Sequence, residues 1–207
     1  FPEMLVPAQI GFGPKKNTAG FPESLRLPQP LAGHEQGDLG ASAQKVLQPM
    51  LEAGRPWNIF LTLARHPDLA RRWLVFSNHV LFKSTIPARE REIAILRTGW
   101  LCQSEYEWAQ HELIGADAGL TKEEIERIKI GASAGWGTLD ALIINAADEL
   151  FEEKKISDMT WNALKSFWDD QQMMDLVFAI GQYTLVSMAL RTFEVPLDDF
   201  LTGWGDT

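Results

Sequence analysis

Apolar residues recur at helical spacing along the chain from about residue 41 onward. After Pro67, for example, Leu69, Trp73, Phe76 and Val80 follow one another at intervals of four, three and four, which places them on one face of a helix. No segment shows the strict alternation of apolar and polar residues that a half-buried strand requires. The pattern therefore predicts an all-α fold, a helical bundle over residues 41–207.

Proline, glycine and capping residues divide this region into separate helices. Gly54 and Pro56 end the first helix, and Thr121 with Glu124 three residues later forms a capping box at the start of another. The predicted helices are 41–53, 57–65, one beginning at Pro67, 87–101, one that carries Tyr106, Trp108 and His111 and ends at Gly119, one beginning after Thr121, 138–154, 158–168 and 171–192.

Residues 1–40 have a different composition. Six of the 11 prolines lie here, together with several glycines. Proline removes backbone donors and glycine raises the entropic cost of order, so this stretch is predicted to be an irregular N-terminal arm. Such an arm is either loosely attached or lies over a neighbouring subunit.

Charge and cysteine content exclude several classes of protein. The net charge of −9 opposes binding to nucleic acid or to an anionic membrane surface. A single cysteine, Cys102, cannot form an internal disulfide, which excludes a disulfide-based scaffold. No apolar run reaches the length of a bilayer and no signal-peptide pattern opens the chain, so a cytoplasmic protein is expected. Eight Trp and 11 Phe suggest an interface or a pocket besides the core.

Candidate acid–base residues cluster in the middle of the chain. Ser104, Glu107 and His111 are spaced i, i+3 and i+7, so a helix would place them on one face. Glu92 lies on the preceding predicted helix, and antiparallel packing would bring it opposite His111. A carboxylate beside an imidazole fixes the ring tautomer and supports proton transfer near neutral pH. The same spacing also occurs on solvated helix faces and in buried polar contacts, and it names no reaction.

The residues around this cluster resemble a known family. The runs Arg89–Ile93, Cys102–His111 and Ala118–Thr121 look like the core of the carboxymuconolactone decarboxylase family, which includes the alkylhydroperoxidase D-like (AhpD-like) proteins. The run Gly181–Leu190 resembles the last helix of a longer branch. The resemblance covers about residues 45–200. It implies an AhpD-like helical bundle and a homo-oligomer, a trimer or a multiple of one.

The resemblance also implies what this chain lacks. Hydroperoxidase relatives carry a Glu, then Cys-x-x-Cys, then a His four residues after the second Cys. Glu92 and His111 match the Glu and the His, whereas Ser104 and Glu107 stand where the two cysteines would be. Peroxide reduction needs an attacking thiolate and a resolving thiol. Cys102 does not replace them, because at 100° per residue it is expected to face away from Glu107 and His111.

The decarboxylase branch of the family implies a different chemistry. It removes carbon dioxide from an unsaturated lactone acid without a cofactor, since the electrons delocalise into the conjugated lactone. The resemblance therefore implies a cofactor-free lyase or decarboxylase acting on a small oxygenated molecule, lactone-like or carboxylated. His111 is expected to transfer the proton, with Glu92 or Glu107 orienting it and Ser104 as a hydrogen-bond partner.

Further residues are candidates for substrate binding. Arg97 could bind a carboxylate, although a structural ion pair with one of the many nearby acids is the more ordinary role for it. The other candidates are Tyr106, Trp108, His79 and Tyr183, each of which has core packing or a surface position as the alternative interpretation.

Three other functions stay open at this point. A metal-dependent enzyme could use Glu92, Glu107 and His111 as ligands, but no second His stands at a matching spacing, and no metal is expected. A non-catalytic binding protein would have a pocket that is filled or disconnected from His111. Thiol hydroperoxidase activity has the least support. The expected partners are a small-molecule substrate and further copies of the chain, with no nucleic acid and no membrane.

Overall fold

The computed structural model of the protein describes residues 40–54 and 57–204, and every regular element within these ranges is an α-helix. The predicted all-α fold is confirmed. The irregular arm predicted for residues 1–40 lies outside the described residues, apart from Gly40. The helices are α1 (Ala41–Glu52), α2 (Asn58–Leu63), α3 (Pro67–Phe82), α4 (Ala88–Leu101), α5 (Glu105–Asp117), α6 (Lys122–Ile130), α7 (Thr138–Glu153), α8 (Asp158–Leu164) and α9 (Asp170–Thr192).

The helix boundaries agree with the sequence pattern to within about two residues in most places. The capping box at Thr121 and Glu124 is present at the start of α6. The largest difference is α8, which was predicted to continue to residue 168 and ends at Leu164. The segment after Leu164, up to Phe167 and Trp168, forms turns instead of continuing the helix. A second capping box, formed by Asp169 and Gln172, then begins α9.

Helix α4 lies at the centre of the bundle. Every residue from 92 to 99 is buried, and the helix packs against α5, α6, α7 and α9. Ile93 and Leu96 belong to the main core together with Ile143 and Ile144 of α7. A helix that is covered on all sides has no solvent face, so its polar residues must find partners inside the protein.

Helices α4 and α5 approach each other closely because a glycine lies at their contact. A Cβ atom on Gly115 would stand 3.2 Å from Leu96 Cδ1 and 3.1 Å from Leu120 Cδ1, tighter than ordinary van der Waals contact. The same position faces Glu92 Cβ at 3.8 Å. Because Gly115 has no side chain, α5 packs closely against the turn of α4 that carries Glu92.

Helix α9 corrects one expectation from the sequence. By length and composition it could cross a membrane, whereas no apolar run of that length was expected from the sequence. About half of its most apolar stretch is buried inside the protein, where it packs against α3, α4, α5 and α7. Buried polar residues, Gln182 and Ser187, also lie on it.

The segment after α9 closes the bundle against the first helices. We call residues 193–204 the C-terminal strap. Its Asp198 is buried and accepts hydrogen bonds from the backbone N–H of Asn58 (2.8 Å), from Tyr106 Oη (2.5 Å) and from Gln110 Nε2 (2.9 Å). At its end, the N–H of Trp204 donates to Glu105 Oε1 at 2.6 Å. The strap therefore ties α2 to α5.

Candidate active site

A cavity of about 620 Å³ opens between the first three helices and the α5–α9 pair. This volume is within the range of small-molecule sites. Aromatic side chains form much of its wall, among them Trp57, Phe60, Trp73 and Phe200. Glu107 and His111 also line it, so the acid–base residues predicted from the sequence face an open space.

His111 is held between two carboxylates. Its Nδ1 lies 2.6 Å from Glu92 Oε2, across the α4–α5 contact, and its Nε2 lies 3.0 Å from Glu107 Oε1, one turn earlier on α5. All three side chains are buried. Each ring nitrogen therefore faces a carboxylate oxygen, but only the Nδ1–Glu92 contact has the geometry of a hydrogen bond, and Glu107 Oε1 has no hydrogen-bond partner among the described residues. The arrangement suits a doubly protonated imidazolium, since each N–H then has an anion beside it.

The electrostatics of the ring follow from this arrangement. Burial by itself lowers the pKa of His111, because it disfavours the charged form. The negative charges of Glu92 and Glu107 outweigh burial and raise the pKa to about 10. At neutral pH the ring therefore carries a positive charge.

Arg91 extends this arrangement to a row of alternating charges. Its Nη2 lies 3.4 Å from Glu92 Oε1, and its side chain lines the cavity. Arg91, Glu92, His111 and Glu107 thus alternate in sign, and we call them the charge row. When opposite charges lie side by side, their attraction offsets the free energy that each loses on removal from water. An isolated buried charge has no such compensation.

Tyr183 packs against the charge row from α9. Its ring lies edge-on to the His111 ring, with 4.7 Å between centroids and 80° between planes. Burial and the nearby carboxylates of Glu107 and Glu92 raise the pKa of its hydroxyl well above the usual value. Tyr183 therefore stays protonated, and its hydroxyl keeps its hydrogen-bond donor.

Tyr106 lines the cavity, but its hydroxyl is already used. It donates to Asp198 Oδ2 and accepts from the N–H of Ile59 at 3.3 Å. Burial, with Asp198 beside it, raises the pKa of Tyr106. Its place is in the wall, where it anchors the C-terminal strap.

Four residues predicted for the site lie elsewhere. Arg97 donates to Asp148 Oδ1 (2.6 Å) and to the carbonyls of Ile128 and Lys129, so it ties α4 to α6 and α7. The other three are likewise absent from the cavity lining: Trp108 is a core residue beside Trp100, His79 is an exposed residue 3.6 Å from Asp175, and Ser104 precedes α5 as its N-cap residue.

The sequence spacing assumed that Ser104 lies on the helix that carries Glu107 and His111. The structure places Ser104 just before that helix. Its extended backbone places it outside α5, and its buried Oγ has no hydrogen-bond partner among the described residues. Cys102 is at the end of α4 and not on α5, so the angular argument for its direction was wrong. Burial raises the pKa of its thiol, which lies near the Ser187 and Thr184 hydroxyls of α9.

Several cavity residues were missed by sequence analysis. Arg91, Gln110 and Gln182 directly precede Glu92, His111 and Tyr183 in the chain, and Trp73 was recognised only as part of an apolar stripe. The available signal was that the first three of these residues each precede a residue that was already a candidate for the site. Periodicity gave no reason to choose them, because it ranks apolar faces and these residues border a space inside the bundle.

The site does not suit a metal ion. Within residues 40–54 and 57–204 no group of three or more His, Cys, Asp or Glu side chains is arranged to hold one. At His111 the two carboxylates lie in direct contact with the ring nitrogens, at 2.6 and 3.0 Å, so no ion fits between them.

Comparisons with known proteins agree with this architecture. Residues 67–148 match the profile of the carboxymuconolactone decarboxylase family. No curated protein matches the sequence. An uncharacterized peroxidase-related protein from Ralstonia eutropha with an alkylhydroperoxidase AhpD core is similar in structure, with a TM-score of 0.71 and 20% identity over 84% of this chain and 92% of that one.

Two further solved structures show the same fold. A peroxidase-related protein from Silicibacter sp. has a TM-score of 0.71 and 14% identity, covering 86% of this chain and 94% of its own. The debrominase Bmp8 has a TM-score of 0.62 and 11% identity, covering 80% of this chain and 90% of its own. At such identities the likeness concerns the fold alone.

Proposed function

We propose that this chain, which belongs to the carboxymuconolactone decarboxylase and AhpD-like superfamily, is a cofactor-independent acid–base enzyme. The proposed activity is that of a lyase that breaks a carbon–carbon or carbon–oxygen bond in a small oxygenated molecule, lactone-like or carboxylated. One observation carries the proposal: the Glu92–His111–Glu107 row opens onto a 620 Å³ cavity.

Glu107 is the group that exchanges a proton with the substrate. It lines the cavity, and each nitrogen of His111 lies within 3.0 Å of a carboxylate oxygen, Nε2 beside Glu107 itself. The proton on His111 Nε2 therefore reaches the substrate through Glu107. Glu92 holds the other side of the ring and stabilises its charge. This assigns to Glu107 the contact with substrate that the sequence suggested for His111.

Two bond cleavages suit this arrangement. In a decarboxylation, the bond to the carboxylate carbon breaks, the electron pair delocalises into a conjugated carbonyl group, and a proton from Glu107 bonds to carbon. In an elimination, the Glu107 carboxylate takes a proton from the carbon beside a carbonyl group. The electron pair then forms the double bond as the carbon–oxygen bond breaks, and the departing oxygen receives the proton. Neither step needs an oxidant or a reductant.

Thiol chemistry and simple binding have weaker support. Ser104 and Glu107 stand where the hydroperoxidase relatives carry cysteines, and the sequence contains only Cys102. A binding protein that had lost its catalytic site was expected to have a cavity separated from His111. Here His111 and Glu107 both line the cavity, which favours an enzyme.

A metabolite screen by mass spectrometry, monitoring loss of carbon dioxide or water, tests the proposal. On the substrate so found, His111→Ala, Glu92→Gln and Glu107→Gln should each lower the rate by about a hundred- to ten-thousandfold, as removal of a positioned proton donor does. Glu112→Gln is the matched control, because Glu112 is a carboxylate on the same helix that does not line the cavity. Full activity in both His111→Ala and Glu92→Gln would exclude this site.

A further inference from the structure

Two N–H donors at the cavity have no acceptor inside the described part of the protein. They are Nε2 of Gln182, a residue that is only 4% exposed, and Nε1 of Trp73. Both side chains line the cavity. A buried donor without an acceptor costs about 1–3 kcal/mol. Both nitrogen atoms are themselves buried, so a bound molecule reaches them only when their side chains turn toward the cavity, and an oxygen atom that then accepts from them removes this cost.

The two donors lie on the wall that also carries the charge row. Trp73 packs against the cluster formed by Tyr106, Val186 and Leu190, and Gln182 lies one turn before Val186 on α9. The residue after Gln182 is Tyr183, whose ring contacts that of His111. A ligand oxygen held by the donors therefore shares a wall with Glu107.

The charges around the cavity favour a neutral ligand. Its charged lining residues are Arg91, His111, Glu107 and Asp117. Arg91 and His111 both face Glu92, which lies behind the wall, and His111 also contacts Glu107. With Glu92 included, three acids stand against two bases. An organic anion would meet a negative excess, whereas a neutral carbonyl oxygen would need only the N–H donors.

The remaining wall favours a ring. Trp57 and Phe60 stack with 5.8 Å between centroids, and Phe200 lies 6.3 Å from Trp57. Trp73 and Phe82 add further aromatic surface from α3. Aromatic groups stabilise planar ligands by offset stacking and edge-to-face contact, beyond the burial of area alone.

We propose that the cavity takes a neutral cyclic ketone with an oxygen substituent on the carbon β to the carbonyl group, whose carbonyl oxygen accepts hydrogen bonds from Gln182 and Trp73. Only the proton transfer rests on the function proposed above, since the binding argument uses the cavity alone. Within that function, this substrate class selects elimination at a carbon–oxygen bond over the loss of carbon dioxide.

Binding of three related probes tests the substrate class. They are α-tetralone, its carbonyl-free analogue tetralin, and the anion tetralin carboxylate, each titrated by ligand-observed NMR. We expect α-tetralone to bind more tightly than tetralin by about threefold to tenfold, the value of a net hydrogen bond or two, and the carboxylate to bind most weakly. The proposal is overturned if the carboxylate binds most tightly or if no probe binds.

Two variants test the donors separately. Trp73→Phe keeps an aromatic ring and removes Nε1–H, and Gln182→Leu keeps the approximate shape and removes Nε2–H. Each should weaken α-tetralone by about threefold to tenfold and leave tetralin unchanged. Trp161→Phe on α8, outside the cavity lining, should change neither. Equal weakening of α-tetralone and tetralin would show a role in packing and count against the proposal.

Deuterium exchange separates this proposal from the proposed function. In D₂O, wild-type protein should accelerate exchange at the carbon beside the α-tetralone carbonyl, while Glu107→Gln should bind the ketone and leave the exchange at its uncatalysed rate. If binding follows the expected order and exchange is not accelerated, the substrate class stands and the acid–base function fails. If exchange is accelerated and neither donor variant weakens binding, the function stands and the assignment of the donors fails.

Discussion

His111 is the residue on which the electrostatics of the site depend. A buried imidazole ordinarily loses its proton, yet here the pKa is raised from 6.5 to about 10 by Glu92 and Glu107. A group whose pKa is higher in the folded state stabilises the fold fully below its unfolded pKa. That stabilisation is lost as the pH rises through the folded pKa.

We therefore expect the free energy of unfolding to fall between about pH 6.5 and pH 10, by up to about 1.4 kcal/mol per pH unit from this one group. The control is a triple variant, Glu92→Gln, His111→Gln and Glu107→Gln, in which neutral amides replace the titrating groups. Denaturant unfolding across this range should show a steeper decline for the wild type. Parallel curves for the two proteins would mean that the ring is not protonated in the folded state.

At the residue scale, sequence reasoning selected three side chains that the structure brings together around His111, and it also selected several for the cavity that lie elsewhere. Glu92, Glu107 and His111 could be found because the helical spacing and the family resemblance both indicate them. Arg97 was also a candidate, but it turns away from the cavity to Asp148. Since α4 is buried on all sides, periodicity could not tell which of its polar residues faces the cavity and which faces another helix.

At the scale of elements, the C-terminal strap decides the shape of one cavity wall. Asp198 holds Tyr106 and Gln110, and both of these side chains line the cavity. The strap also passes very close to α5, because a Cβ atom on Gly203 would stand 2.6 Å from Glu105 Oε1. The strap thus positions residues of the cavity wall and is separate from the charge row.

Asp198→Asn should loosen this wall. The substitution replaces a charged acceptor of three hydrogen bonds, so we expect a loss of about 1–3 kcal/mol in the free energy of unfolding. We also expect weaker binding of α-tetralone, with the deuterium exchange rate at saturation nearly unchanged. Asp199→Asn is the matched control, since Asp199 is the exposed neighbour. An equal fall in binding and in saturated exchange rate would place Asp198 in the proton-transfer machinery instead.

The strap is also the element that sequence reasoning could not supply. The helices could be predicted from periodicity and from capping residues such as Thr121. Residues 193–204 have no such repeating pattern. Asp198 bonds to a residue 140 positions away, and nothing local marks such a contact. The helices of the fold were therefore predictable, and the closure of the cavity was not.

At the scale of the whole molecule, an apolar surface lies over α3 and α9. Val75, Met174, Phe178, Leu185 and Met188 are each more than half exposed. The ring of Phe76 meets that of Phe178 at 6.0 Å, so the two helices present one connected surface. Extended apolar surface usually marks an interface. The homo-oligomer expected from the sequence, built from trimers, is our proposal for what covers it.

Phe178→Glu combined with Met188→Glu should dissociate the assembly, because two charges would be buried without partners at the interface. Sedimentation at micromolar concentration should show a multiple of the chain mass for the wild type and a smaller species for the variant. Met159→Glu, on α8 and also highly exposed, serves as the control and should leave the mass unchanged. A monomeric wild type would refute the assembly.

The charge row has a consequence for how molecules arrive at the site. The chain carries a net charge of −9, so a protein of this kind ordinarily repels anions over a distance set by the salt concentration. Within the row, however, two positive and two negative groups cancel at close range. A neutral molecule has no net charge on which this long-range electrostatic field acts. Its association rate should therefore be the same in dilute buffer as at high ionic strength, whereas that of an anion should rise as salt is added.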